Sequence, residues 1–121
     1  MGFIKSLKHA IAGLYSILKS ERNARIHLIV AFLALIAAWV LDVSNEGFAA
    51  IFFAILIVFL AEIMNTTIEK TLDLVDAKQR PEIKLIKDMA AGAVLVAAVG
   101  AFIIGIAVFR VYILEYLWRL G

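Results

Sequence analysis

The stretch that decides the fold is the apolar run Gly47–Ala61, GFAAIFFAILIVFLA, followed directly by Glu62–Glu69, EIMNTTIE. Fifteen uncharged residues therefore lead into two carboxylates and an amide. A charge at bilayer depth costs roughly 2.5 to 3.5 kcal/mol on membrane-insertion scales. We therefore expect Glu62, Asn65 and Glu69 to have a function at the point where a hydrophobic helix leaves a lipid bilayer.

The composition indicates a membrane protein. Hydrophobic residues make up 64% of the 121 residues, against about 45–50% in soluble domains, and the mean hydropathy is +1.00. This length predicts a single integral-membrane domain over 1–121. The lack of cysteine excludes a disulfide framework and a thiolate metal site. His9 and His27 are too far apart to form a local metal pair, so we expect ordinary surface or interface roles for them.

Three apolar segments predict transmembrane helices at about 24–41, 47–75 and 82–109. About 20 helical residues cross the hydrocarbon core, so the first two helices must extend into their polar flanks. Before them, apolar residues recur every three or four positions, which predicts an amphipathic surface helix at about 3–20. The predicted fold is an all-α membrane protein with three transmembrane helices and an N-terminal surface helix.

Lysine and arginine are distributed unevenly around the predicted spans. Of the 12 such residues, ten lie before the first apolar run, Ile26–Leu41, or between the second, Gly47–Ala61, and the third, Met89–Phe109, and two follow the third. The positive-inside rule therefore predicts that the N-terminus and the second loop are cytoplasmic. Because the basic residues flank membrane spans in this way, we expect no nucleic-acid partner.

Polar residues of the second predicted transmembrane helix share one face. At ~100° per residue, four positions fall with Glu62 inside a strip about 80° wide: Asn65, Glu69, Asp73 and Asp76. For the last two, a helix end that emerges into water explains the pattern equally well. It explains Glu62 poorly, since that residue follows the apolar run directly.

Residues from other helices should reach the level of this face. A turn near 76–81 makes the second and third spans an antiparallel hairpin, so Lys87 and Asp88 should lie level with Glu69. Glu21 precedes the first span on the same side, and Glu62 should lie about 10 Å deeper than Glu69. Carboxylates suit Mg²⁺, which binds through one or two of them plus substrate phosphates. With a lysine for phosphate charge and a deeper carboxylate to accept a hydroxyl proton, these are the parts of a phosphoryl-transfer site.

Two other functions fit part of the pattern. A small proton-coupled transporter would use Glu62 as its intramembrane carboxylate, but it would not explain Glu21, Lys87 and Asp88. A structural or assembly subunit would use small residues that let helices approach closely in lipid; these are Ala93, Ala97, Ala101 and Gly105. Packing within one chain explains this ladder equally well. Three helices are too few to enclose a site with many ligands, which favours an oligomer with shared sites.

Three blocks of sequence together carry a family resemblance: AEIMNTTIE at Ala61–Glu69 with the following Asp73, KDMAAGAV at Lys87–Val94, and ERNARIH at Glu21–His27. They resemble the small bacterial integral-membrane lipid kinases, which include prokaryotic diacylglycerol kinase and undecaprenol kinase. Order, spacing and layout fit over nearly the whole chain. The resemblance implies a homotrimer in the bacterial cytoplasmic membrane that transfers the γ-phosphate of ATP to a lipid alcohol with Mg²⁺.

The same resemblance implies roles for individual residues. Glu62 resembles the catalytic base, and Glu21 and Glu69 resemble the metal-binding carboxylates that hold Mg²⁺-ATP. Asn65 is expected to orient the site. Nucleotide contacts are expected at Lys78, Arg80, Lys87 and Asp88. The spacing of Glu, Asn, Arg and His in the first block is similar to the branch that favours undecaprenol, so we expect undecaprenol in preference to diacylglycerol.

Overall fold

The computed structural model describes residues 2–78 and 80–121. These residues form four α-helices: α1 (Phe3–Ser20), α2 (Arg22–Val40), α3 (Asn45–Val75) and α4 (Pro81–Leu120). The last three are long and apolar enough to cross a membrane. The prediction of an all-α membrane protein with three such helices behind an N-terminal helix is confirmed. The helix α4 extends well beyond 109, where the predicted span ended.

One residue separates α1 from α2. Glu21 has extended backbone angles, φ −107° and ψ 114°, and it ends the first helix and begins the second. Arg25 stabilises this corner, because its Nη1 donates hydrogen bonds to the carbonyl oxygens of Leu18 and Lys19, each at 2.9 Å. The last carbonyls of a helix lack partners within it and carry partial negative charge, so a guanidinium is a favourable cap there.

The turn between α2 and α3 is held from two directions. Asp42 has a φ of 53°, in the left-handed region. Ser44 caps α3 by accepting a hydrogen bond from the Gly47 N–H at 3.2 Å, and its own N–H donates to the Tyr112 hydroxyl of α4 at 3.0 Å. A Cβ on Gly47 would lie 2.7 Å from the Val43 side chain, so a larger residue in this first turn of α3 would force that side chain to shift.

The three long helices run antiparallel in sequence order. Asp73 of α3 pairs with Lys87 of α4 at one end, and the Ser44–Tyr112 hydrogen bond joins the same two helices at the other. The helix α2 packs on α3 and buries three alanines at seven-residue intervals, Ala24, Ala31 and Ala38. Small residues at such positions let helices approach closely. As a result, the start of α2, the end of α3 and the start of α4 lie together.

The helix α4 presents most of its surface outward. Pro81 and Glu82 occupy its first turn, as expected from the missing N–H of proline and the positive end of the helix. Only Ile83 and Ala90 of this helix are buried. A Cβ on Gly105 would meet nothing within 4 Å, so the end of the small-residue ladder is not used for close packing within the chain.

Replacing Arg25 by alanine should loosen the α1–α2 corner. Loss of two charge-assisted hydrogen bonds at a solvent-exposed site should lower the free energy of unfolding by about 1–2 kcal/mol. Unfolding followed by circular dichroism in micelles of increasing dodecyl sulfate fraction measures the change. Arg22→Ala is the control, because the Arg22 side chain forms no hydrogen bond or salt bridge within 2–78 and 80–121. Equal losses in both variants would contradict the capping role.

Candidate active site

The polar face of α3 becomes steadily more buried from its end towards its middle. Glu62 and Thr66 are buried, with 3% and 1% of their surfaces exposed. Asn65 and Glu69 are half-buried, and Asp73 is exposed. The face predicted from helical periodicity therefore places the Glu62 carboxylate in the protein interior and the Asp73 carboxylate at the surface.

Glu62 faces α2 across the α2–α3 contact. The Nε2 atom of His27 lies 3.7 Å from its Oε2 atom, and the His27 side chain is 25% exposed. The expectation of an ordinary surface or interface role did not anticipate this pairing. Counting residues outward from the α2–α3 turn would have indicated it, since His27 and Glu62 are at similar distances from that turn.

Glu21 lies close to the part of α3 that carries Glu69. The Nζ atom of Lys70 is 4.0 Å from Glu21 Oε1, and the Ser20 hydroxyl donates to the same oxygen at 3.3 Å. Glu69 is the residue before Lys70 and forms no salt bridge within the described ranges. The sequence-based prediction that Glu21 approaches this level of α3 agrees with the contact, although Lys70 was not among the predicted residues.

Lys87 and Asp88 point to different partners. The Lys87 ammonium lies 2.7 Å from Asp73 Oδ1, one turn closer to the end of α3 than Glu69. Asp88 pairs with Lys84 along α4 at 2.7 Å and is 61% exposed. The chain therefore brings Lys87 to the polar face of α3, while the Asp88 carboxylate is engaged on its own helix.

The two basic residues of the α3–α4 loop both contact Asp76, Lys78 through its backbone and Arg80 through its side chain. Its carboxylate accepts the backbone N–H of Lys78 at 2.8 Å and pairs with Arg80 Nε at 3.0 Å. Asp76 is the C-cap residue of α3 and has extended backbone angles. Its predicted place on the helical strip is wrong, because the helix ends at Val75 and the 100° spacing does not continue past the cap.

The donor set is compatible with Mg²⁺ bound together with phosphates. The Asn65 Oδ1 atom is buried without a hydrogen-bond partner, although buried carbonyl oxygens normally have one. Among the described residues, no group of three or more His, Asp or Glu side chains forms a metal site. Glu21 and Glu69 would therefore supply at most two carboxylates, and the remaining positions would belong to phosphate oxygens and water, as is usual for Mg²⁺.

An apolar cavity lies beside this face. It has a volume of about 610 Å³, lies between α2, α3 and α4, and is lined by residues such as Ala31, Val58 and Ala101. His27 also lines it, so the cavity reaches the histidine that pairs with Glu62. A cavity with these walls is suited to hydrocarbon.

Comparison with known proteins agrees with these features. The profile of the prokaryotic diacylglycerol kinase family matches residues 8–109. Undecaprenol kinase of Bacillus subtilis is 40% identical over 107 residues, which cover 88% of this chain and 87% of that protein. Diacylglycerol kinase of a Synechocystis species is 35% identical over 101 residues, which cover 83% of this chain but 58% of that protein.

The fold and these matches define a multi-pass membrane protein of a lipid kinase family. The chain belongs to the prokaryotic diacylglycerol kinase family. The resemblance seen in the three sequence blocks is thereby confirmed, and so is the prediction that the protein is an enzyme.

The burial gradient along α3 can be measured with single cysteines, because the chain contains none of its own. A water-soluble maleimide should label Asp73→Cys rapidly, Glu69→Cys more slowly and Glu62→Cys at least about tenfold more slowly than Asp73→Cys, since burial disfavours the reactive thiolate. Lys78→Cys in the exposed loop gives the reference rate for complete access. Equal rates at 62 and 73 would contradict the gradient.

Proposed function

We propose that this protein transfers the γ-phosphate of Mg²⁺-ATP to the hydroxyl group of a membrane lipid alcohol. The observation that carries the proposal is the buried carboxylate of Glu62 on the same face of α3 as the half-buried carboxylate of Glu69. Membership of a lipid kinase family supports it. Glu62, the more deeply buried carboxylate, suits an alcohol that lies in the membrane. Glu69, the less buried one, suits a nucleotide that arrives from water.

Glu62 is assigned to the alcohol. The lipid hydroxyl oxygen forms the new bond to the γ-phosphorus, the bond from that phosphorus to the bridging oxygen breaks, and ADP leaves. The hydroxyl proton goes to the Glu62 carboxylate. A general base contributes about 10²–10⁴-fold to a rate, and positioning with charge stabilisation supplies most of the rest in phosphoryl transfer.

Glu21 and Glu69 are assigned to the metal. Their carboxylates would hold Mg²⁺, which neutralises phosphate charge when it is bound with ATP. The unpartnered Asn65 Oδ1 atom lies on the same helix between Glu62 and Glu69, where it can accept a hydrogen bond that orients the site.

The nucleotide is assigned to the basic end of the molecule. Lys87, Asp88 and the loop residues Lys78 and Arg80 lie where α3 ends and α4 begins. Ten of the 12 lysine and arginine residues belong to this end, so the positive-inside rule supports its location in the cytoplasm, on the ATP side of a bacterial cell membrane. Contact with phosphates would require Lys87 to exchange or share its partner Asp73.

Undecaprenol is the favoured acceptor, and diacylglycerol is the second candidate. The undecaprenol kinase relative is 40% identical and is matched over 87% of its length. The diacylglycerol kinase relative is matched over 58% of its length. The first sequence block, Glu21–His27, also favours undecaprenol over diacylglycerol.

The active form is proposed to be a homotrimer. Only Ile83 and Ala90 of α4 are buried within one chain, and most of the other side chains of this helix have no partner helix in the described chain. Fewer than three potential metal ligands cluster within the described part of a single chain. Both observations support sites that are completed between subunits.

Phosphate transfer is the direct test. Purified protein in mixed micelles with labelled ATP and Mg²⁺ should label undecaprenol faster than diacylglycerol at equal mole fraction, and chelation of Mg²⁺ should abolish labelling. The radiolabelled lipid is separated by thin-layer chromatography. If neither lipid is labelled by protein that is folded by circular dichroism, the kinase proposal is wrong.

Substitution of Glu62 and substitution of Glu69 should impair different steps of the reaction. Glu62→Gln should lower kcat by about 10²–10⁴-fold and leave Mg²⁺-ATP binding largely intact, because it removes the base. Glu69→Gln should weaken Mg²⁺-ATP binding, which calorimetry or nucleotide fluorescence measures directly. Glu115→Gln, near the opposite end of α4, is the control and should match the unaltered protein. Loss of ATP binding in Glu62→Gln would make Glu62 a metal ligand instead.

A further inference from the structure

The Glu62 carboxylate is buried with few polar partners. Among residues 2–78 and 80–121, His27 is the one basic side chain within 4.0 Å of it, and the distance of 3.7 Å is longer than a hydrogen bond. Buried carboxylates normally need a paired or hydrogen-bonded partner. The orientation of this carboxylate therefore depends on a single neighbour on another helix.

The position of His27 is well defined by the packing of α2. Ala24 and Ala31, on the turns before and after it, are buried with 1% and 7% of their surfaces exposed, so this part of α2 lies close against its neighbours. The imidazole is consequently carried by a rigid helix and not by a loop. Groups held on packed helices keep their geometry better than groups held on loops.

The pair lies where two cavities approach each other. His27 lines the large apolar cavity between α2, α3 and α4. Glu62 lines a smaller cavity of about 160 Å³ beneath the surface helix, together with Leu14 and Ile17. Phe59 lines both, so the two cavities share a wall next to the pair. The contact between His27 and Glu62 therefore joins the lining of one cavity to the lining of the other.

We propose that His27 is a positioning residue for Glu62, whose imidazole holds the carboxylate between the two cavities in the direction that receives the lipid hydroxyl proton. This inference rests on the proposed function and deepens it. The contact is made to Oε2, which leaves Oε1 free to accept the proton. Its length of 3.7 Å exceeds a hydrogen bond, and such contacts commonly tighten only when substrate is bound.

Three substitutions of His27 separate positioning from bulk. His27→Ala removes the donor and should lower kcat by about 10–100-fold, the usual effect of losing a group that orients another, with little change in the KM for Mg²⁺-ATP. In His27→Gln the side-chain amide nitrogen can occupy nearly the place of Nε2, so most of the kcat should return. His27→Asn is closer in size to histidine than alanine but too short to reach, so it should resemble the alanine variant.

The other histidine supplies the control. His9 lies on α1 and is exposed, so His9→Ala should retain full kcat. Thermal unfolding and size in micelles are measured for every variant. If the alanine variant does not fold, the comparison of glutamine with asparagine carries the test.

The outcomes distinguish this inference from the function on which it rests. Lipid labelling by the unaltered protein, together with its loss in Glu62→Gln, must be observed first, and failure there overturns the proposed function itself. If both hold, three results overturn the positioning role: an unchanged kcat in His27→Ala, a kcat in His27→Gln as low as in His27→Ala, or an effect that appears chiefly in the KM for Mg²⁺-ATP. A lower kcat in His27→Ala with recovery in His27→Gln supports it.

Discussion

Burial of the Glu62 carboxylate among membrane-spanning helices is the constraint on which the rest of the structure depends. Such a group must be enclosed by protein, because lipid provides no hydrogen bonds and no opposite charge. Close contact between α2 and α3 provides the enclosure, and the alanines of α2 allow it. The same contact brings His27 across from the carboxylate. The buried alanines of α2 and the contact between His27 and Glu62 therefore belong to the same α2–α3 interface.

The length of α3 connects that interface to the water phase. The helix continues for about three and a half turns beyond Glu62 to Val75, so its polar face extends without a break from the buried carboxylate to the end of the helix. Along this face the exposure of the side chains rises from Glu62 through Glu69 to Asp73. A rigid helix thus holds a buried carboxylate and an exposed one at a constant separation.

Sequence reasoning predicted the elements that depend on local pattern. Long apolar runs identified the three spanning helices, and the 3.6-residue period placed Glu62, Asn65 and Glu69 on one face. Counting along the α3–α4 hairpin brought Lys87 to the correct end, but its partner proved to be Asp73, one turn from the predicted level. The prediction that Asp76 shares this helical face was wrong, because α3 ends at Val75. Asp88 forms a salt bridge with Lys84, four residues earlier on the same helix, which is a favourable spacing for such a pair.

The sequence by itself determined the membrane class, the number of helices and the uneven distribution of charge, and it supplied the residues that are proposed for a lipid kinase site. These properties follow from composition and short-range periodicity, which do not depend on how helices cross. Only the tertiary structure decided which side chains meet: His27 with Glu62, Lys70 with Glu21 and Lys87 with Asp73. Such pairs depend on the rotation of each helix about its axis and on its shift along its neighbour. A rotation of one residue is ~100°, enough to move a side chain from one partner to another.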